Sequence, residues 1–317
     1  MWMDIAIIIP VRNEGEWLNT TIRAIASSHV SSKYHIVVVD DGSTDGSVKC
    51  LDHTSLITTI STGPKSRGLI YAKNLGLNQA TSRYVCFMDG HMIAHDGWLD
   101  YLRETLDELG GKALVSGNIP DVAYMGLAPH GAMPRQQYSY TLRNRMLDTQ
   151  WYLHSGCFRN SPYYQPLTPG GLMFAEREYL QQLGGFAEEL RMWGGEDVEL
   201  SLRNYCMGGS NIVDPRVSIY HYFRDSSFVG WASKMDLAYN SLYIATRYLP
   251  AEYYKATKRS VVRRWLGTPS IVREIESLKH QRRATELISQ FTRGWAEWTS
   301  DFPDELAGFM SDMSSHL

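Results

Sequence analysis

The 317-residue chain lacks most of the features that mark common protein classes. It has four cysteines, Cys50, Cys86, Cys157 and Cys206, and no Cys-x-x-Cys pair. That excludes a disulfide-stapled scaffold or a structural zinc knuckle and points to a reducing compartment. No run approaches the roughly 18 apolar residues that a membrane-spanning helix needs. No basic stretch precedes the first apolar run, so no secretory signal is read and a cytoplasmic location is expected. Gly-x-Gly-x-x-Gly is missing after that run, against a dehydrogenase-type nucleotide site, and no P-loop or Gly-x-Ser-x-Gly elbow occurs. A nucleotidylyltransferase would want a basic, glycine-rich loop there, and Pro10–Gly15 is not one. There is no internal repeat.

What is present is ordinary globular material, 44% hydrophobic and 21% charged, enough for two modest domains or one large α/β unit. Net charge is −3, but unevenly spread: Lys255 to Arg293 holds ten basic and three acidic residues, so this segment carries +7 and the remainder −10. Such asymmetry suggests that the two parts do different jobs.

Over the first 120 residues, apolar runs alternate with helical patterns. Strands are predicted at Ile5–Ile9, His35–Val39, Leu56–Ile60 and Tyr84–Met88, and helices around Trp17–Ile25, Gly68–Ala80 and Trp98–Leu109. Strand–helix alternation at this spacing implies βαβ units and a largely parallel sheet. Residues 120–170 are rich in Pro, Gly, Tyr and Asn, with long loops and one helix near Tyr138–Tyr152 as the expectation. Helices at Glu176–Leu183 and Glu196–Cys206 and a strand at Val217–Phe223 follow. Beyond residue 230 the pattern is helical, with Ile271, Ile275, Leu278, Ile288, Phe291 and Trp295 near one face.

In open α/β sheets, ligands bind beyond the carboxyl ends of the strands. Three of these ends carry polar clusters: Arg12-Asn13-Glu14, Asp40-Asp41 and Asp89-Gly90-His91. Alternation aims Asp89 and His91 to one side, and a carboxylate with an imidazole suits a divalent ion such as Mn2+. Alone the motif is equally a strand-end Asp-Gly turn. His221-Tyr222-Phe223-Arg224 ends a later strand, where a third ligand and a phosphate-pairing guanidinium would fit. The sharpest local feature is Trp193-Gly194-Gly195-Glu196-Asp197. A helix dipole explains two acidic residues in a first turn, but not the aromatic and two glycines before them.

With these residues in view, the chain resembles the GT-A-fold glycosyltransferases. It is similar to family-2 enzymes and more closely to the catalytic domain of polypeptide N-acetylgalactosaminyltransferases. The matching segments are IAIIIPVRNE, VVVDDGSTD, SRGLIYAKN, FMDGHMIAHDGWL, PGGLMFAEREYLQQLGGF, MWGGEDVELSLRNYCMGG and SIYHYFR, in the family's order over roughly residues 5–224. The resemblance implies a Rossmann-like, mostly parallel sheet flanked by helices as a catalytic domain over 1–228. A basic helical extension over 229–317 would follow as a possible acceptor-binding region.

The resemblance further implies a UDP-sugar donor, with Mn2+ or another divalent cation held by Asp89, His91 and His221. Pro10, Arg12 and Glu14 would line the nucleotide pocket. Asp41, with Asp40 behind it, would bind uracil or ribose. Arg67 and Gly68 would touch the base and diphosphate, and Arg224 the β-phosphate. Gly170 and Gly171 would lie beneath the donor sugar, Glu196 would bond a sugar hydroxyl, and Trp193 would sit on a closing loop. Loops around 120–169 and 225–232 would shield the donor from water.

Two departures stand out. The peptide-modifying family, which is retaining, usually has Asn where this chain has Asp197. The Glu-Asp pair instead matches inverting family-2 and galactosyltransferase enzymes, with Asp197 as base. Nothing in residues 230–317 reads as the C-terminal lectin module that the resemblance would lead one to expect. The acceptor stays open between a peptide or protein hydroxyl, a glycan and a hydroxylated base in DNA reached by the basic helices. A solvated helix face and an anionic lipid surface are other uses for that charge. A non-catalytic nucleotide-sugar-binding protein is the alternative to an enzyme.

Overall fold

A computed structural model of the chain describes residues 4–49, 51, 55–124, 138–154, 160–224, 232–264 and 291–315. The strands are β1 (Ile5–Val11), β2 (Tyr34–Asp40), β3 (Ile57–Ser61), β4 (Tyr84–Met88), β5 (Met92–Ile93), β6 (Ala113–Asn118), β7 (Tyr138–Leu142), β8 (Thr149–Leu153), β9 (Tyr163–Tyr164), β10 (Leu172–Glu176), β11 (Ser210–Ser218) and β12 (Tyr220–His221). The helices are α1 (Trp17–Ser27), α2 (Leu69–Gln79), α3 (Trp98–Glu108), α4 (Arg177–Gln182), α5 (Glu196–Cys206), α6 (Lys234–Tyr248), α7 (Ala251–Arg264), α8 (Trp295–Asp301) and α9 (Pro303–Ser314).

β1 explains the layering. All seven of its residues are buried, and successive side chains enter opposite faces. Ile5, Ile7 and Ile9 pack with Leu18, Ile22, Leu99 and Leu102 of α1 and α3. Ala6 and Ile8 pack with Ala72, Leu77, Val198 and Leu242 of α2, α5 and α6. Each such aliphatic side chain contributes about 1.5–3 kcal/mol on burial. The helical extension therefore shares a core with the sheet, and Trp298, Leu306 and Phe309 of α8 and α9 join it.

The eight-stranded sheet runs β3-β2-β1-β4-β10-β6-β11-β9. Strands β3, β2, β1 and β4 are mutually parallel, as the βαβ pattern predicts. β10 is antiparallel to both neighbours, β4 and β6, so the sheet is mixed. The expected helix near Tyr138–Tyr152 is instead the antiparallel hairpin β7–β8. Tyr138 to Leu142 alternates aromatic and hydroxyl side chains, a period-2 pattern that suits a pleated surface. The strand expected at Val217–Phe223 is two elements, β11 and β12, divided at Ile219.

Among the described residues no helix is long and apolar enough to cross a membrane. Cys86 and Cys206 are free and buried, and burial pushes the Cys206 thiol up to about 12. Cys50, Cys157, the loop residues 125–137, 155–159 and 225–231, and residues 265–290 of the basic segment lie outside the described residues.

Candidate active site

Residues far apart in sequence form a cluster beyond the end of β4. Asp89 follows β4, and its N–H bonds the Gly171 carbonyl at 3.0 Å, fixing it between β4 and the chain entering β10. β5 pairs antiparallel with β12, placing His221 opposite Met92 and so beside His91. The Asp89, His91 and His221 ligand atoms lie within 4.8 Å of one another.

The donor set, one carboxylate and two imidazoles, fits a divalent ion. Two observations support that fit. A Cβ at Gly171 would meet Asp89 Oδ2 at 2.8 Å, so glycine leaves the carboxylate its space. His91 Nδ1 lies 3.0 Å from Glu14 Oε2, which leaves Nε2 for an ion, as metal-ligating histidines are commonly oriented. Burial alone would raise the Asp89 pKa. The His221 hydrogen bond and the charges of His91, His221 and Lys73 outweigh it and hold the carboxyl far below the usual range.

Next to this cluster lies a cleft of about 820 Å³. Asp89 and His221 form one wall, Gly170 and Gly171 the floor, and Trp193, Glu196 and Asp197 the start of α5. Tyr140 and Trp151 of the hairpin and Leu237, Asn240 and Ile244 of α6 close the other side. Six predicted residues besides Trp193 thus meet here. Trp193 is 38% exposed, as a wall residue should be.

Glu196 and Asp197 are both buried, yet their surroundings differ. Glu196 is neutralised by Lys73, whose Nζ lies 3.0 Å from Oε1, and its Oε2 accepts from the Gly194 N–H at 3.1 Å. Asp197 has no ion-pair partner among the described residues. Its Oδ2 accepts the Gly170 N–H at 3.2 Å, and Oδ1 the Val198 N–H at 2.8 Å. Burial, then the charge of Glu196, raise the Asp197 pKa above the ordinary carboxylate range, despite Lys73. Burial and Asp197 together push the Tyr140 phenol well above its normal value.

The residues predicted for the nucleotide lie outside this cleft. Asp41 is fully buried and its four acceptor positions are filled. Oδ1 takes the Thr62 hydroxyl and Arg67 N–H at 2.7 Å each, and Oδ2 the Ser66 hydroxyl at 2.5 Å and Gly68 N–H at 2.9 Å. It therefore fixes the loop carrying Arg67 and Gly68 and has no capacity left for uracil or ribose. Asp40 Oδ1 likewise accepts the Ser43 N–H at 2.8 Å. The Arg67 guanidinium stacks on Tyr71, 3.3 Å from its centroid. Gly68, at φ 97°, lies against Met192, where a Cβ would come within 2.6 Å of the backbone. Pro10 is interior to β1, and Arg12 is half-buried just after it. Arg224 pairs directly with Glu14, which joins that guanidinium to the His91 side of the metal cluster.

Sequence reasoning missed Lys73, Tyr140 and Asn240. Lys73 carried a signal: it is the sole charged residue of an otherwise uncharged α2. Tyr140 and Asn240 carried none, because hairpin and helix reach the cleft only through tertiary packing.

The chain matches known proteins over this same region. Residues 6–162 match glycosyl transferase family 2, and residues 157–224 match the N-terminal domain of galactosyltransferase. It is 28% identical over 246 residues to a putative polypeptide N-acetylgalactosaminyltransferase 13 of Drosophila melanogaster, covering 70% of this chain and 42% of that protein. It is 30% identical over 246 residues to human polypeptide N-acetylgalactosaminyltransferase 3, covering 70% and 37%. The chain thus spans about two fifths of the length of these curated relatives. The crystal structure of GalNAc-T7 with UDP, GalNAc and Mn2+ superposes with a TM-score of 0.72 at 18% identity, over 99% of this chain and 58% of that one. A Pyrobaculum calidifontis mannosyltransferase in complex with GDP-Man and Mn2+ gives 0.53 at 19% identity, over 99% and 85%. From the mixed sheet, the ordered motifs and these matches, the chain belongs to the GT-A-fold glycosyltransferases and is built on a family 2 glycosyl transferase domain.

Proposed function

We propose that this chain moves a sugar from a UDP-sugar to a hydroxyl of a peptide or protein, with inversion, using a divalent ion held by Asp89, His91 and His221. The observation that carries the reading is the meeting of Asp89 and His221 with Glu196 and Asp197 on one cleft. UDP and Mn2+ are what GalNAc-T7 was crystallised with, which supports the donor and the metal. When bound, such an ion supplies positive charge to the departing diphosphate.

The chain's own residues do the rest. Gly170 and Gly171 let the sugar approach the backbone. Glu196, fixed by Lys73 and the Gly194 N–H, accepts a hydrogen bond from a sugar hydroxyl. Asp197 takes the acceptor proton as the acceptor oxygen bonds to the anomeric carbon and the bond to UDP breaks, its electron pair leaving with UDP. A carboxylate that is buried and lacks a cation is a stronger base than an exposed one, which suits this role. Arg224 holds the β-phosphate while Glu14 keeps its guanidinium in place.

A peptide acceptor is favoured over DNA by the polypeptide transferases among the relatives. The charge argument for DNA is weakened where the structure describes it. Arg264 shares Asp148 at 3.2 Å, and Arg293 bonds the Gly208 carbonyl and lies over the Tyr205 ring.

The test is UDP release from UDP-sugars with Mn2+ and a peptide acceptor library. Asp89→Ala and Asp197→Asn are each expected to lower turnover by about a hundredfold or more, and unchanged turnover in both overturns the assignment. An α- or β-product by NMR then decides the stereochemistry.

A further inference from the structure

The loop Arg191–Gly195 carries Trp193 and leads into Glu196, and its backbone is unusual. Met192 has φ 47°, a left-handed value that a long side chain rarely adopts, and Gly194 and Gly195 stand at 98° and 80°. Apart from the Gly194 N–H bond to Glu196 Oε2, the contacts that hold this run among the described residues come from neighbouring elements. On one side the Leu69 N–H, at the start of α2, donates to the Met192 carbonyl at 2.7 Å. On the other side lies α6. Leu237 and Ile244 press on the two glycines so closely that a Cβ would come within 2.6 and 2.9 Å of their methyl carbons.

Between those two contacts sits Asn240, 1% exposed. Its Oδ1 accepts the Arg191 N–H at 2.8 Å. Its Nδ2 donates to the carbonyls of Arg191 at 2.9 Å, Gly194 at 2.8 Å and, more weakly, Trp193 at 3.3 Å. One buried amide thus spans both ends of the loop. The Gly194 N–H that reaches Glu196 Oε2 lies in the peptide whose carbonyl is that of Trp193, and the next peptide carries the Gly194 carbonyl, so Asn240 contacts both peptide planes that set its direction.

We infer that Asn240 is a positioning residue for sugar transfer, fixing the 191–195 loop so that Trp193 faces the cleft and Glu196 is aimed at the donor sugar. This rests on the transferase reading given above. It also gives the helical extension a task within the site, since α6 supplies the amide. The Asn240 amide touches no predicted metal or nucleotide position, and Gly68 meets the loop only at Met192, whose carbonyl the Leu69 N–H holds independently, so removing the amide acts on sugar placement rather than on UDP binding.

The experiment compares wild type with Asn240→Leu, which keeps the branched heavy-atom shape and removes all four contacts. Asn240→Asp keeps the acceptor for the Arg191 N–H and sets a carboxylate against the carbonyls. Tyr248→Phe controls for general weakening of α6, because its hydroxyl bonds Glu199 at 2.7 Å and not the loop. Amide exchange of residues 191–195, measured without metal or substrate, is expected to quicken at least tenfold in both Asn240 variants and not in Tyr248→Phe. The kcat for UDP-sugar turnover is expected to fall at least tenfold in both, with the Kd for UDP and Mn2+ within twofold of wild type. Unchanged exchange at 191–195, or UDP affinity lost in step with kcat, overturns the inference. A wild-type protein that turns over no UDP-sugar overturns the transferase reading instead, and the exchange arm still reports whether Asn240 holds the loop.

Discussion

Lys73 and Glu196 form an ion pair beneath the cleft, Nζ to Oε1 at 3.0 Å, with side chains 1% and 6% exposed. Lys73 also donates to the Gly170 carbonyl at 3.1 Å, so one ammonium joins α2, the cleft floor and the first turn of α5. Removing one member of a buried pair strands the other charge and typically costs about 3–5 kcal/mol. Lys73→Met is therefore expected to lower unfolding stability by about that amount, read by urea denaturation. A cost below about 1 kcal/mol would mean that water reaches Glu196. Lys73 also lowers the Asp197 pKa, so Lys73→Met should move the acidic limb of the pH–rate profile upward.

Asp197 sets its own pH dependence. Its folded-state pKa is raised by burial and by Glu196, so its charged form is disfavoured in the native protein. As a base it must be ionised. Activity is thus expected to fall as pH drops through the raised value, above the ordinary aspartate value of about 3.9. The stability sign is the reverse of a salt-bridged aspartate. Above its unfolded-state pKa, ionised Asp197 costs stability, and the cost is relieved as pH falls through the folded pKa. Asp197→Asn should lose about 10²–10⁴ in kcat and, with relief of the buried charge offset by an amide set against the Gly170 or Val198 N–H, melt close to wild type at neutral pH. A clear loss of melting temperature would show that the carboxylate is structural.

The sequence made β1, β2 and β4 legible because each is a short, nearly unbroken apolar run. The acid–imidazole motif and the Trp193–Asp197 turn were legible because their residue types are chemically unusual where they stand. The hairpin β7–β8 was not, since alternation over five residues within a Pro/Gly-rich stretch competes poorly with a helical pattern. β10 was hidden inside a segment read as a motif, although it pairs with both β4 and β6. Asp41 read as a ligand because an Asp-Asp pair at a strand end is common to both roles. Only the four donors around it reveal a loop clamp. The metal cluster needed 130 residues of chain to close, and no local pattern specifies that β12 pairs with β5.

The Asp41 clamp yields its own expectation. Asp41→Asn leaves one oxygen and replaces the other with a donor facing the Ser66 hydroxyl and the Gly68 N–H. An unmet buried donor costs about 1–3 kcal/mol, and the loop 62–68 should loosen. Calorimetry with UDP should show weaker binding, because Arg67 sits on that loop, while Mn2+ binding stays as in wild type. If UDP affinity is unchanged, Arg67 makes no contact with the nucleotide.

Gly171 offers a test of the metal centre that leaves every ligand atom in place. Its backbone needs no left-handed angle, so alanine costs nothing in backbone strain. The cost is spatial: the new methyl would meet Asp89 Oδ2 at 2.8 Å and His221 Cδ2 at 3.8 Å. The Asp89 main chain is anchored by its own N–H to the Gly171 carbonyl, so the carboxylate makes room by rotating its side chain away from the position seen here. The methyl thus displaces the Asp89 carboxylate, while it meets His221 only at van der Waals distance. Gly171→Ala is expected to weaken Mn2+ binding at least tenfold, about 1.4 kcal/mol, by electron paramagnetic resonance titration. Its circular dichroism should match that of wild type. Because the altered atom carries no donor and no charge, a loss of affinity comes through the position of Asp89. An affinity equal to wild type would show that the ion does not take Asp89 as a ligand.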